Sequence, residues 1–122
     1  MTLQELYASI DGSYDHAVQI MRMEKLINRY LSKLPNSGVY EALAAAGESM
    51  DPTALFESAH AMKGVCANMG FDKMSAAAGE ITEEFRPGSA RTLSDEEVKA
   101  RIADIGVMYR HTVDVIRQYE QG

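Results

Sequence analysis

The sequence predicts an all-α fold, an antiparallel four-helix bundle with short accessory helices at its N-terminal side. Its 122 residues are rich in Ala, Leu, Glu, Lys and Met and contain no Trp and only three Pro, a composition that favours helices. Apolar residues recur at spacings of three and four, the period of one helix face, and no segment alternates as an exposed strand would. Capping residues and Gly or Pro breaks separate these segments.

The first 34 residues are predicted to form one short and one long helix. Thr2 and Glu5 have capping-box spacing, so a helix over residues 3–10 is expected, and a turn at Asp11–Ser13 ends it. A long amphipathic helix follows over residues 14–34 and stops before the next proline. Its predicted core-facing residues, at helical spacing, are Ala17, Ile20, Met23, Ile27, Leu31 and Leu34.

The rest of the chain is predicted to form four more helices, over residues 39–47, 52–69, 73–86 and 95–119. Asp51 followed by Pro52 is a strong helix start, and Gly70 is a helix stop that suits a left-handed conformation. Ser94 and Glu97 form a second capping box at the start of the last helix. The four longest helices should form the bundle, because short connections make neighbouring helices antiparallel, which leaves the two short helices as accessories.

The composition indicates a single domain, residues 1–122, without a nucleic-acid or membrane partner. Hydrophobic residues make up 46% and charged residues 25%, which is ordinary for a globular protein. A net charge of −6 without a basic stripe argues against phosphate-backbone contacts. No apolar run approaches the roughly 20 residues that span a bilayer, and no signal peptide opens the chain. The single cysteine, Cys66, falls on an apolar helix arc, so we expect a buried thiol and a reducing, cytoplasmic location.

The candidate functional residue is His60, in the helix predicted over residues 52–69. At about 100° per residue, His60 lies about 140° around the helix from Leu55, which belongs to an apolar arc that should face the core. That arc consists of Leu55, Ala59, Met62, Cys66 and Met69. Lys63 and Gly64 follow His60 at i+3 and i+4, the neighbouring positions on the same helix surface. A glycine inside a helix costs roughly 1 kcal/mol relative to alanine, so Gly64 requires an explanation.

An exposed histidine in this setting could carry a phosphoryl group. Its neutral imidazole offers a ring nitrogen as a nucleophile. Lys63 could pair with the added charge, and Gly64 would let a partner's active site approach. At an exposed site such an ion pair contributes only a few tenths of a kcal/mol, which suits a carrier that must release its group. The sequence contains no glycine-rich phosphate loop and no local nucleophile–base pair, so we expect no enzyme, no cofactor and no metal site.

The segment His60-Ala61-Met62-Lys63-Gly64, with Gly70 after it, resembles the signature of histidine-containing phosphotransfer (HPt) domains. In that family the pattern His-x-Leu-Lys-Gly is followed, about six residues later, by a glycine. The resemblance extends upstream and downstream and covers about residues 12–116, through the segments 54–59, 79–86 and, more loosely, 29–35. Met62 stands where the family has leucine, a substitution of similar volume on the core face. The loop before Asp51 is a few residues longer than usual.

The resemblance implies a phosphorelay intermediate. His60 would accept a phosphoryl group from an aspartate of a response-regulator receiver domain and pass it to another receiver domain. Lys63 would be the phosphate-proximal cation and Gly64 the clearance residue, while the receiver domain would supply Mg²⁺ and the catalytic groups. A hybrid histidine kinase would feed the relay, and a monomeric protein is expected. Family members also place a polar side chain of the following helix near the histidine, and the candidates here are Thr82, Glu83 and Arg86.

Two other functions remain open. An adaptor bundle could bind receiver domains without being phosphorylated, and only the intact His60 argues against it. A metal-binding bundle is the second alternative, because Glu57-x-x-His60 matches the motif of carboxylate-bridged di-iron sites. Such sites need the motif on two helices, and neither His16 nor His111 has a glutamate three residues before it. A purely structural bundle would leave Lys63 and Gly64 unexplained.

Overall fold

The computed structural model describes residues 1–122 and consists of seven α-helices and one 3₁₀ turn, without strands. The all-α prediction is confirmed. A 3₁₀ turn at Leu34–Asn36 follows the third helix. The helices are α1 (Leu3–Ser9), α2 (Tyr14–Met21), α3 (Glu24–Lys33), α4 (Val39–Ser49), α5 (Pro52–Asn68), α6 (Asp72–Glu84) and α7 (Asp95–Gln121).

The predicted caps begin three of these helices. The capping box of Thr2 and Glu5 starts α1, and that of Ser94 and Glu97 starts α7. At the start of α5, Asp51 accepts a hydrogen bond from the backbone N–H of Thr53 at 3.1 Å. Each bond satisfies an N–H group that has no partner inside the helix, so these helix starts follow directly from local sequence.

The single helix predicted over residues 14–34 is wrong, because the chain breaks between α2 and α3. Arg22 has a φ of 76° and Met23 is extended, so neither continues a helix. In addition, the hydroxyl of Tyr14 donates a 2.5 Å hydrogen bond to Glu24 across the break. The two helices therefore present their buried faces independently.

A shift in the buried face explains why α2 and α3 do not form one continuous helix. The last buried residue of α2 is Met21, and the first of α3 is Ile27. Six residues turn a helix about 120° away from the starting face, so a straight helix could not bury both. As a result Ile20 and Met23, which were predicted to face the core, are 49% and 57% exposed.

The bundle is formed by α4, α5, α6 and α7, which corrects the predicted membership. Both α4 and α6 pack against α5 and against α7, so the short helix predicted over residues 39–47 belongs to the bundle. Close approach of α4 and α7 depends on Gly106, where a Cβ would overlap the hydroxyl of Tyr40. Tyr40 in turn stacks on Tyr109, with ring centroids 5.5 Å apart.

Helix α3 lies along the C-terminal half of α7. The hydroxyl of Tyr109 donates to the carbonyl of Leu34 at 3.1 Å, and the hydroxyl of Tyr119 donates to Asn28 Oδ1 at 2.7 Å. The buried side of α3 joins a single hydrophobic core of 27 residues, which also contains all five arc residues of α5. This shared core fixes the rotation of α5 and therefore the direction in which His60 points.

Gly70 ends α5, as predicted, and joins it to α2. Its φ of +73° is left-handed, and a Cβ there would overlap the carbonyl oxygen of Ser13. The carbonyl of Gly70 accepts a hydrogen bond from the N–H of Ser13 at 2.7 Å. Only glycine satisfies both the backbone conformation and this close contact.

The loop between α6 and α7 is held by a buried carboxylate. Glu84, 7% exposed, accepts hydrogen bonds at 2.7 Å from the backbone N–H groups of Thr92 and Leu93. Its other oxygen accepts from the hydroxyl of Thr92 at 2.8 Å. These bonds, led by that from Leu93, hold the pKa of Glu84 below its usual value. These bonds pin the loop to the end of α6.

Candidate functional site

His60 lies on the outer face of α5 with its ring nitrogens free. The residue is exposed, whereas Ala59 and Met62 beside it are fully buried. The other two histidines each have a polar partner for one ring nitrogen, but His60 has none. Its ring is nearly parallel to that of Phe56, one turn earlier, with 5.8 Å between centroids and 9° between planes. This stacking covers one face of the imidazole and leaves the nitrogens available for reaction.

Lys63 reaches the same surface by crossing α6. The Cδ and Cε atoms of its stem lie 3.6 Å from the position that a Cβ would take at Gly79. The hydroxyl of Ser75, also in α6, donates to the carbonyl of Lys63 at 3.3 Å. The ammonium of Lys63 has no carboxylate partner within the chain. Lys63 therefore offers an unpaired cation one helical turn from His60.

Gly64 faces open space. A Cβ at this position would meet no atom within 4 Å, so packing within the chain does not require glycine here. The neighbouring exposed positions carry small or medium side chains, Ala61 and Val65. The surface beside His60 is therefore low, which leaves room for a rigid partner to approach the ring.

Two residues at the end of α6 complete the surroundings of His60. The guanidinium of Arg86 lies 5.4 Å from the ring centroid of Phe56 and donates two hydrogen bonds, at 2.9 and 2.7 Å, to the carboxylate of Glu83. These bonds lower the pKa of Glu83, and the positive charges of Arg86, Lys63 and His60 lower it further. Glu83 thus lies within electrostatic reach of both His60 and Lys63.

The third candidate of α6, Thr82, does not face the site. It is fully buried, and its hydroxyl donates to the carbonyl of Ala78 in its own helix at 2.9 Å. Sequence reasoning left Thr82, Glu83 and Arg86 equal and missed Phe56. The i−4 spacing of Phe56 from His60 is the local signal that could have found Phe56, and the i+3 spacing of Arg86 from Glu83 indicates only that these two side chains can pair.

The remaining histidines and the cysteine are engaged elsewhere. His16 is exposed and places Nδ1 2.8 Å from Asp72 Oδ2, and His111 Nε2 lies 2.9 Å from the carbonyl oxygen of Ser9. Cys66 is buried, and burial raises the pKa of its thiol to about 12, so it remains protonated. No group of three or more His, Cys, Asp and Glu side chains is arranged to hold a metal ion.

Comparison with known proteins identifies the family. None of the helices combines the length and the hydropathy needed to cross a bilayer. No curated protein and no solved structure gave a significant match to the chain. The family model of the Hpt domain, however, matches residues 20–117, which include all four bundle helices except the last residues of α7. The chain therefore belongs to the Hpt domain family.

Proposed function

We propose that His60 is the phosphoryl acceptor of this domain and that it relays the group between two receiver domains. Members of the Hpt family carry phosphoryl groups in two-component signalling, interact with response-regulator receiver domains and are carriers, not catalysts. The observation that supports His60 is its exposure on α5 with both ring nitrogens free of partners in the chain.

The transfer that we propose is a displacement at phosphorus. The unprotonated nitrogen of His60 attacks the phosphoryl group of a receiver aspartate, an N–P bond forms, and the P–O bond to the aspartate breaks. The aspartate departs as a carboxylate, and the second ring nitrogen of His60 retains its proton or releases it to water. Transfer to the next receiver domain reverses these bonds, with another aspartate as the nucleophile.

Lys63 and Gly64 serve the phosphoryl group and the partner, respectively. Phosphorylation adds a charge of about −1.5 to −2 at His60. Lys63 can pair with that charge directly, because it forms no ion pair within the chain that would first have to break. An exposed pair of this kind contributes about 0.2–1 kcal/mol, too little to trap the group. Gly64 leaves space beside the ring that the chain itself does not fill, which suits a docking receiver domain.

Glu83 and Arg86 adjust the electrostatics of the phosphorylated state. The Glu83 carboxylate is anionic at neutral pH, because its pKa lies below the usual value of 4.5. It therefore repels a phosphoryl group on His60, while Arg86, which holds Glu83 through two hydrogen bonds, offsets part of that charge. The balance keeps the phosphohistidine reactive, as a relay requires.

The partner would supply the catalysis. In this proposal the receiver domain provides Mg²⁺ and the groups that stabilise the transferring phosphoryl. The relay would run in the cytoplasm. A hybrid histidine kinase would supply the phosphoryl group, His60 of this monomeric domain would carry it, and a response regulator would receive it.

The decisive experiment is transfer of radiolabelled phosphate from phosphorylated receiver domains to the wild-type chain and to His60→Gln. We expect label on the wild type only, as an acid-labile, base-stable phosphoramidate. A wild-type chain that binds receiver domains but is never labelled would instead establish the adaptor function. Equal labelling of His60→Gln would exclude His60 as the acceptor, and circular dichroism of the variant checks that its fold is intact.

A further inference from the structure

The outward side of α3 carries a row of cations that no anion in the chain neutralises. Lys25, Arg29 and Lys33 are exposed and recur every four residues, so they form one row with spacings of about 6 Å. Arg22 precedes them at the break before α3, and none of these four side chains belongs to an ion pair of the chain. We call Arg22, Lys25, Arg29 and Lys33 the basic face.

The overall charge of the chain conceals this basic face. Residues 22–33 contain these four cations and one anion, a net charge of +3, whereas the whole chain carries −6. The remaining residues therefore carry −9. The net charge of the whole chain gives no sign of a basic stripe, and only the exposed row on the folded helix reveals the local reversal.

Large exposed side chains accompany the basic face. Met23 is 57% and Tyr30 46% exposed, and the ammonium of Lys33 lies 5.9 Å from the ring centroid of Tyr30. Arg, Tyr and Met are enriched at protein–protein interfaces. Met23 and Tyr30 therefore add apolar contact area beside the charges of the basic face.

The row of Lys25, Arg29 and Lys33 on α3 is separate from the surface around His60. Helix α3 contacts α7 at Tyr119 and Glu120, and the 3₁₀ turn after α3 contacts α7 at Tyr109. The site around His60 lies at the level of Arg101 on α7, because Glu80, one residue after the Gly79 that supports Lys63, pairs with Arg101. At 1.5 Å per residue, the two levels are about 12–28 Å apart along α7.

We propose that the basic face of α3 is a docking surface for an acidic segment of a partner protein, independent of phosphoryl transfer at His60. Carboxylates about 6 Å apart, as at i, i+4 and i+8 of a helix, would match Lys25, Arg29 and Lys33. A bilayer fits less well, because the apolar side of α3, with Ile27 and Leu31, is fully buried in the core. A nucleic acid also fits less well than a short acidic segment, because its continuous phosphate charge extends beyond the basic face and meets the charge of −9 carried by the other residues.

The test uses the isotopically labelled full chain and two synthetic helical peptides that differ only in glutamate or glutamine at i, i+4 and i+8. We expect the glutamate peptide to shift the backbone amide resonances of residues 22–33 and to leave those around His60 unchanged. Three exposed ion pairs at about 0.2–1 kcal/mol each predict a Kd roughly three- to hundredfold weaker for the glutamine peptide. The difference should shrink as salt rises, since exposed charges are screened.

Matched variants assign the binding to α3. The triple variant Lys25→Ala/Arg29→Ala/Lys33→Ala should weaken binding of the glutamate peptide as much as replacing its glutamates by glutamine does. The control variant Lys99→Ala/Arg110→Ala/Arg117→Ala removes three exposed cations of α7 and should leave this binding unchanged. Thermal unfolding of both variants checks the fold. Equal binding of the two peptides, or resonance shifts outside residues 22–33, would overturn the proposal. Tighter binding to phosphatidylserine vesicles than to the peptide would replace the protein partner by a membrane.

Discussion

The stem of Lys63 crosses α6 at Gly79, with Cδ and Cε each 3.6 Å from the place of a Cβ at residue 79. This contact directs the ammonium along the outer surface of the bundle, where His60 also lies. A larger side chain at residue 79 would occupy the path of the stem. The position of the cation thus depends on a residue that lies sixteen positions away in the sequence.

Replacing Gly64 by alanine should stabilise the domain and slow transfer. Alanine gains up to about 1 kcal/mol over glycine inside a helix, and nothing in the chain obstructs the new Cβ. The same methyl would meet a receiver domain docked over His60. Urea unfolding measures the stability and single-turnover labelling measures the transfer rate. Gly79→Ala is the matched control, because its Cβ fits at ordinary contact distance, so it should gain similar stability at an unchanged rate. Wild-type transfer by Gly64→Ala would refute the clearance role.

Displacing the Lys63 stem should have the same effect as removing its charge. Gly79→Leu would fill the space that Cδ and Cε occupy, and Lys63→Ala would delete the cation. Loss of an exposed pair worth about 0.2–1 kcal/mol predicts a phosphohistidine lifetime that is shorter, or a transfer rate that is lower, by roughly one and a half- to fivefold. The measurement is hydrolysis of the phosphorylated chain over time. If Lys63→Ala keeps the wild-type lifetime and rate, Lys63 does not contact the phosphoryl group.

Removing the charge of Glu83 should lengthen the phosphohistidine lifetime. The Glu83 carboxylate is coupled electrostatically to His60 and Lys63, so Glu83→Gln relieves its repulsion of the phosphoryl group and frees Arg86 to approach it. An effect of a few-fold is expected for exposed charges. Glu80→Gln is the control, since Glu80 is equally exposed on α6 and also pairs with an arginine, in its case Arg101. A shorter lifetime for Glu83→Gln, or an equal change for Glu80→Gln, would contradict the role of Glu83.

The features predicted well from sequence are those confined to one helix. The caps at Thr2, Asp51 and Ser94, the stop at Gly70 and the apolar arc of α5 depend on residues within a few positions of one another. Local geometry is enough to place His60, Lys63 and Gly64 on one outward surface, because neighbours at i+3 and i+4 share a face in any helix.

Features that depend on contacts between helices were not predictable in the same way. The prediction of one helix over residues 14–34 relied on a regular apolar spacing through Met23. In the folded chain Met21 and Ile27 are buried instead, and the helix breaks between them at Arg22. Likewise, no spacing rule distinguishes Glu83 from Thr82 as the neighbour of His60. That distinction depends on how α6 is rotated against α5, which the whole core determines.

Acid should release the loop between α6 and α7 through Glu84. Its folded pKa is lowered, so its contribution to stability is complete above the unfolded value of about 4.5 and is lost as the pH falls through the folded value. Glu84→Ala leaves the N–H groups of Thr92 and Leu93 without their acceptor and should cost roughly 1–3 kcal/mol at pH 7.

Glu84→Gln separates charge from hydrogen bonding at the same position. The amide oxygen can still accept from both N–H groups, and the amide nitrogen can donate to the Thr92 hydroxyl, so a smaller loss is expected at pH 7. Its difference from wild type should shrink as the pH falls below about 4.5, because the wild-type carboxylate then gains a proton. Urea unfolding between pH 7 and 3 measures the free energy of unfolding of the wild type and of Glu84→Gln. A difference that stays constant across this range would show that the charge of Glu84 does not stabilise the loop.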